Sequence, residues 1–278
     1  MGRVGAFRID KPQAIDLAKI PTRAPDDADK DEHGKRAEAA GDRLDELEEL
    51  LYAAGTHSVL IVLQGMDTSG KDGTIRRIFR HSNAQGTRVA PFKVPTPEEL
   101  AHDFLWRVHR QAPAKGEIVV FNRSHYEDVL VVRVHGLVPE DRWKARYARI
   151  NEFERLLADS GTIVRKYFLH ISKEEQERRL LDREAEEEKA WKLSARDWEE
   201  RERWDAYQRA YEDALGQCSA EHAPWTVVPA DQKWYRDCVV LEDLVGALEP
   251  HVAGWRERLR DIGAKAKAEL AEFRAGAG

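Results

Sequence analysis

Residues 65–73 read Gly-Met-Asp-Thr-Ser-Gly-Lys-Asp-Gly. Gly65, Gly70 and Lys71 fit the spacing G-x-x-x-x-G-K of a phosphate-binding loop. The chemistry of that spacing is anion capture. Glycines at 65 and 70 let the backbone curl around phosphate oxygens without a Cβ in the way. A helix starting at Lys71 aims its unbonded N–H groups at the same oxygens, and the lysine adds a point charge on a bridging or transferred phosphate. Met66, Thr68, Ser69, Asp72 and Gly73 complete the candidate phosphate and nucleotide cradle. Two departures sharpen the reading. Asp72 stands where a magnesium-binding Ser or Thr is usual, and a carboxylate, Asp67, sits inside the loop. An acid among phosphates is repelled unless it holds a cation or takes a proton, so Asp67 reads as a metal ligand or a general base. The plain alternative is a glycine-rich strand-to-helix turn with no ligand.

A second constellation is Asn122-Arg123-Ser124-His125-Tyr126-Glu127-Asp128, at the end of an apolar run. In phosphate-loop enzymes the strand beside the first one ends near the phosphates and supplies a magnesium ligand. Asn122 is a neutral ligand at best. Glu127 fits a capping box with Ser124, which leaves Asp128 as the better metal candidate. Arg123 cannot lose its charge and reads as a phosphate contact in preference to a structural ion pair.

A third group, Arg178, Arg179, Arg183, Lys189 and Lys192, is interleaved with Glu184, Glu186, Glu187 and Glu188. Such runs are often solvated faces. Nucleotide kinases also carry their closing lid here, with Arg and Lys that neutralise the group in flight. Arg183 and Lys192 are the expected contacts. Further basic residues, Arg76, Arg77, Arg80, Arg88, Lys93 and Lys115, suggest a channel for a polyanion longer than one nucleotide. Surface solvation explains some of them equally well.

The elements that must position these groups alternate between strand and helix. Strands are expected at 59–63, 87–92, 117–121, 162–169 and 225–228. Helices are expected at 36–54, 71–82, 97–110, 140–158, 173–183, 194–216, 231–248 and 252–274. Ser194 and Asp197 form a second capping box. The pattern predicts an α/β fold: a parallel five-stranded sheet covered by helices on both faces, of the phosphate-loop kinase type with a helical lid. Residues 1–35 read as an extended arm, 36–250 as the phosphotransferase domain with a lid at about 184–194, and 251–278 as a C-terminal helix and tail.

Composition narrows the class. The net charge of −6 argues against general nucleic-acid binding. No apolar run approaches the roughly 20 residues of a membrane span. Cys218 and Cys238 match no metal spacing and read as free thiols in a reducing cytoplasm.

Together these residues resemble the polyphosphate kinase 2 family. The resemblance rests on 65–73, on 92–110, on 121–128, on the charged lid ending in Trp191 and Lys192, and on 225–236. It spans about residues 36–248. It implies transfer of a terminal phosphoryl group between inorganic polyphosphate and an adenine or guanine nucleotide. Magnesium is the implied ion, with manganese as the alternative, and a homodimer or homotetramer is expected. The family pattern suggests roles for Asp67, Lys71, Arg123 and Arg183. The form of 121–128 looks like the subgroup accepting both AMP and ADP. Two departures stand out: Asn122 replaces an Asp found in some subgroups, and the lid is more acidic than expected and lacks a proline. Two rival functions remain, an ATP-dependent nucleoside or nucleotide kinase and a nucleotide-gated regulator without turnover.

Overall fold

The computed structural model describes residues 6–80, 85–185 and 195–276. In chain order the elements are β1 (Phe7–Ile9), α1 (Lys30–Ala54), β2 (Ser58–Gln64), α2 (Lys71–Ile78), β3 (Thr87–Pro91), α3 (Pro97–Leu100), α4 (Trp106–His109) and β4 (Ile118–Asn122). A 3-10 turn (His125–Asp128) leads to α5 (Val131–Val134), α6 (Glu140–Asp159), β5 (Thr162–His170), α7 (Lys173–Ala185), α8 (Ala195–Glu202), α9 (Trp204–Gln217), β6 (Trp225–Pro229), α10 (Lys233–Leu248) and α11 (Val252–Gly276). The sheet order is β1-β6-β5-β2-β4-β3. All pairings are parallel except β1 with β6.

The central strand β2 is apolar from Val59 to Leu63 because both of its faces are covered. Val59 to Leu63 are at most 1% exposed, as a parallel strand between two helix layers requires. Alternation in β5 identifies the layers. Lys166 bonds to Glu154 of α6, whereas its neighbour Tyr167 bonds to Asp243 of α10. Successive strand residues point to opposite faces, so α6 and α10 lie on opposite sides of the sheet. α1 and α2 pack with α10, and α5 packs with α6 and α9.

Several expectations need correction. The sheet has six strands, not five. The added edge strand comes from the expected arm, and three residues are too few to show a period. Ile9 is fully buried there. α1 begins at Lys30, not 36, because Asp29 caps it by accepting from Glu32 N at 2.7 Å. The expected 97–110 helix is two short helices. A capping box does form at its start, between Thr96 and Glu99. The capping box at Ser124 does not form. The Ser124 hydroxyl accepts from Tyr126 N and from Gln64 Nε2, and the Glu127 carboxylate turns to Arg123. The helix expected at 194–216 breaks at Arg203. Ser194, and with it the second capping box, lies outside the described residues.

The start of α11 docks onto the body through buried Val252 and Trp255. Trp255 Nε1 donates to His57 Nδ1 at 3.1 Å, and the His57 and His251 rings lie 4.7 Å apart. Burial, then Lys115, holds His57 below its ordinary pKa. Burial, then His57 and Arg165, does the same for His251. The unfolded chain therefore binds more protons than the folded one below about pH 6.5, and stability falls as pH drops through that range. We expect the thermal midpoint to fall between pH 7 and 5.5, and His251→Gln to flatten that fall. An unchanged slope in the variant would remove the pair from the account.

Candidate active site

β2 delivers the chain into the phosphate loop. Gly65 has φ +151°, and a Cβ there would lie 2.7 Å from Ser69 Oγ and 2.8 Å from the Leu169 carbonyl. Gly70 has φ +104° and begins α2 without a side-chain cap, so the first-turn amides of α2 have no partner within the helix. A Cβ on Gly70 would also collide with the Arg236 guanidinium. Glycine is thus required at 70 for conformation, and a side chain there would also displace Arg236.

Lys71 is buried with its ammonium inside the curve of the loop. Nζ donates to the Gly65 carbonyl at 2.8 Å and the Met66 carbonyl at 3.1 Å, with Ser69 Oγ at 3.5 Å. The weak third contact leaves one N–H for an anion. Burial, reinforced by Arg123, lowers the lysine to about 8 against the pull of Asp67, Glu127 and Asp72.

Arg123 reaches the loop from the turn after β4. Its Nη2 donates to Asp67 Oδ1 at 2.5 Å and its Nη1 to Glu127 Oε2 at 3.2 Å. Glu127 holds the guanidinium above its ordinary pKa despite burial, with help from Asp67. Among the described residues, Thr68 (φ +64°) and Arg123 (φ +61°) are the two non-glycines in the left-handed region. Such strain costs of the order of 1–3 kcal/mol each and collects where function demands it. Thr68 Oγ1 is moreover buried without a hydrogen-bond partner, a polar orphan in the loop itself.

Asn122 ends β4 beside Leu63 and donates from Nδ2 to Asp72 Oδ1 at 3.0 Å. Asp67, Asp72 and Asn122 are hard oxygen donors around the lysine. That donor set suits magnesium, which is held by one or two carboxylates plus substrate phosphates. Among the described residues no three His, Cys, Asp or Glu side chains form a self-sufficient metal cage. Asp128 has arginine partners of its own. Its Oδ1 accepts from Arg146 at 3.1 Å and its Oδ2 faces Arg107 at 3.7 Å. Burial raises its pKa against those two arginines. Arg107 also donates to the Lys93 carbonyl and lies over the Phe92 ring. The segment 92–110 therefore braces the turn that carries Arg123.

On the lid side, Arg183 Nη1 bonds to Asp197 Oδ2 at 3.3 Å. Asp197 has its pKa raised by burial and then by Asp67, opposed by Arg183, Arg123 and Lys71. α8 therefore faces the loop. Lys192 lies outside the described residues.

The basic cluster divides. Arg76 and Lys93 are exposed. Arg77 and Arg80 share Glu38 of α1 at 2.7 and 3.0 Å. Arg88 bonds to Gln111 and to the Ala112 carbonyl, and Lys115 bonds to the Ser160 carbonyl. Arg88 lies near the start of β3 and Lys115 precedes β4, at the end of the sheet opposite the phosphate loop. Ligands of such sheets bind outside the carboxyl ends of the strands. Arg88 and Lys115 therefore do not join the loop in one channel, although they are close to it in sequence.

Two buried arginines hold roles that the sequence did not assign to them: Arg179, grouped there only with the lid charges, and Arg236, seen there only as the end of the 225–236 motif. Arg179 Nη1 donates to the Thr68 and Ser69 carbonyls at 2.9 and 3.1 Å. Arg236 lies against Gly70 and Gly73 and is paired with Asp237. A signal for Arg179 was available: Gln176, Arg179, Leu180 and Arg183 share one helical face, and the first three are buried.

The profile of the family described as Polyphosphate kinase 2 (PPK2) matches residues 27–253. The chain belongs to the polyphosphate kinase 2 family. It is 56% identical over 230 residues to the AMP/ADP-polyphosphate phosphotransferase of Meiothermus ruber, covering 81% of this chain and 86% of that protein. It is 43% identical over 256 residues to the ADP-polyphosphate phosphotransferase of Rhodopseudomonas palustris, covering 87% and 89%. The crystal structure of polyphosphate kinase 2 from Arthrobacter aurescens superposes with a TM-score of 0.84 at 41% identity, over 87% of this chain and 88% of that one. As a member of this family the chain is a phosphotransferase. Among the described residues no helix is long and apolar enough to cross a membrane.

Proposed function

We propose that this member of the polyphosphate kinase 2 family moves the terminal phosphoryl group of inorganic polyphosphate to AMP and to ADP, reversibly. The observation that carries the reading is the meeting of Lys71, Asp67 and Arg123 at an uncapped helix start. The names of its relatives in Meiothermus ruber and Rhodopseudomonas palustris support the substrate class.

The acceptor is a phosphate oxygen that is already anionic, so no strong base is needed. Catalysis then consists of positioning and electrostatic stabilisation. The amides of α2 and Lys71 hold phosphate oxygens. Arg123, fixed between Asp67 and Glu127, presents a cation that cannot deprotonate. Arg183 neutralises charge from the lid side. Asp67 with Asn122 would hold magnesium, which when bound neutralises phosphate charge and orients the donor. We leave Asp128 out of this set because Arg146 bonds to its Oδ1 and Arg107 faces its Oδ2 at 3.7 Å.

The test is chromatography of products from purified protein, magnesium and polyphosphate with AMP, ADP, GMP or GDP. Starting from AMP, ADP should rise first and ATP second. Omitting polyphosphate should stop both, and supplying ATP as donor should not replace it. Transfer from ATP alone would favour the conventional kinase, and binding without turnover the regulator.

Acceptor choice gives a separate expectation. Asn122 donates an amide to Asp72 where a carboxylate would repel it, and a neutral group there also repels acceptor phosphate less. Asn122→Asp should therefore change the ratio of AMP to ADP use by severalfold. If both rates fall together, Asn122 does not set acceptor register.

A further inference from the structure

Arg179 is 6% exposed and uses every donor it has. Nε bonds to Glu175 Oε1 at 2.7 Å. Nη1 bonds to the carbonyls of Thr68 and Ser69 in the phosphate loop. Nη2 bonds to the carbonyls of Ala230 and Asp231, at 2.6 and 2.9 Å, in the turn after β6. One planar fork thus joins two loops through four backbone oxygens.

The consequence for the loop follows from peptide geometry. In a trans peptide the C=O and the next N–H point in opposite directions. With the Ser69 carbonyl turned to Arg179, the Gly70 N–H points the other way, off the guanidinium. The Thr68 peptide is fixed twice, by Arg179 on its carbonyl and by Ser69 N donating to the Met66 carbonyl at 3.1 Å. Arg236, beside Arg179, lies where a Cβ on Gly70 would go and would have to move aside for one.

The second loop is itself held by the N-terminal segment. Thr22 Oγ1 donates to Asp231 Oδ2 at 2.9 Å, and Asp231 N donates back to the Thr22 carbonyl at 3.0 Å. Asp231 Oδ1 accepts from Ser172 N at the start of α7, and Ala24 N donates to Gln232 Oε1. Leu17 N donates to Glu212, and the Leu17 carbonyl lies 3.2 Å from His170 Nε2. The segment crosses the carboxyl end of β5 and β6 and is pinned at each crossing.

We infer that Arg179 is a positioning residue that presets the phosphate loop for its anion, and that the N-terminal segment sets Arg179 through Thr22 and Asp231. The inference rests on the phosphoryl-transfer reading and deepens it. A lysine at 179 keeps the charge but has three donors and no planar fork, so it cannot hold both loops. A valine at 22 fills the same space without the hydroxyl.

Binding of magnesium tripolyphosphate, followed by titration calorimetry, reads the loop directly. It is measured well below the melting point of every variant. Arg179→Lys should weaken affinity by at least about tenfold, and Thr22→Val by about threefold to fivefold, the worth of the one hydrogen bond it removes. KM for polyphosphate should rise in step, with kcat changed less. The double variant should be no weaker than Arg179→Lys, since both act along one path. A lowered melting point with unchanged affinity in both variants would make the arginine merely structural and overturn the inference. Independent, multiplying losses would overturn the link to Thr22. Should Arg179→Lys fail to fold, Thr22→Val decides alone: unchanged affinity overturns the proposal, and a threefold loss upholds it. A wild-type protein that binds tripolyphosphate but transfers nothing would sink the functional reading and leave this one standing.

Discussion

Replacing Lys71 with methionine should lower kcat/KM by about a thousandfold or more while leaving the protein at least as stable as before. The loss follows from geometry. The ammonium is the charge inside the loop, and two of its N–H groups are spent on the Gly65 and Met66 carbonyls. Removing one preorganised donor from developing charge costs a factor of about 10²–10³, and removing a full charge costs more. The stability follows from burial. Burial and Arg123 lower the lysine from 10.5 to about 8. The folded state therefore disfavours the charged form, a penalty present below pH 8 and relieved as pH rises towards 10.5. Methionine removes the penalty and fills the space. In the wild type, kcat/KM should fall as pH rises past about 8, because the free enzyme loses the charge. Urea denaturation and initial rates across pH 6–9.5 check both halves. Retention of more than about a tenth of the rate would remove Lys71 from the site.

The loop was legible because its signals are local. Two glycines at fixed spacing, a preceding apolar run and a lysine at a helix start all lie within 14 residues, 58–71. Arg123 was legible by analogy of place, since the strand next to β2 must end beside the loop. Roles that depend on partners far along the chain were not. Asp128 looked free because nothing near it in sequence reveals Arg107 or Arg146. Arg88 and Lys115 looked like part of a channel because they flank site motifs in sequence, yet they sit at the far end of the strands. Arg178 and Arg179 are adjacent and alike. Both bond to Glu175, and only the turn of the helix sends one on to Asp182 at the surface and the other under the loop. The edge strand β1 pairs with β6, over 210 residues away, and three residues carry no period. Non-local pairing is what a single sequence shows least.

The same limit hid the group that fixes Arg123. Lys166 is fully buried in β5 and donates to Glu154 Oε2 at 2.5 Å, to the Tyr126 hydroxyl at 2.9 Å and to the Cys218 carbonyl at 2.6 Å. Glu154 Oε1 accepts from the Tyr126 hydroxyl at 2.8 Å, with His125 Nε2 at 3.2 Å. His125 and Tyr126 of the motif thus point inward and anchor the turn whose first residue is the strained Arg123. Lys166→Met should destabilise the fold by about 3–5 kcal/mol, because it leaves the Glu154 carboxylate buried without its countercharge. Lys166→Met with Glu154→Gln should recover most of that loss, since no net charge is then buried. The pH dependence tells a broken ion pair from simple repacking. Burial alone would push Glu154 up, yet Lys166 and His125 hold it below 4.5. In the wild type its contribution is present above that value and lost as pH falls through the lower folded pKa. Without Lys166 the burial effect dominates, so Glu154 takes up a proton on folding and the single variant should gain stability relative to the wild type as pH drops from 7 to 5. Urea denaturation at both pH values measures the difference. A loss under about 1 kcal/mol, or no gain on acidification relative to the wild type, would show that Lys166 does not hold Glu154 as a charged pair. The turn would then owe its shape, and Arg123 its position, to packing alone.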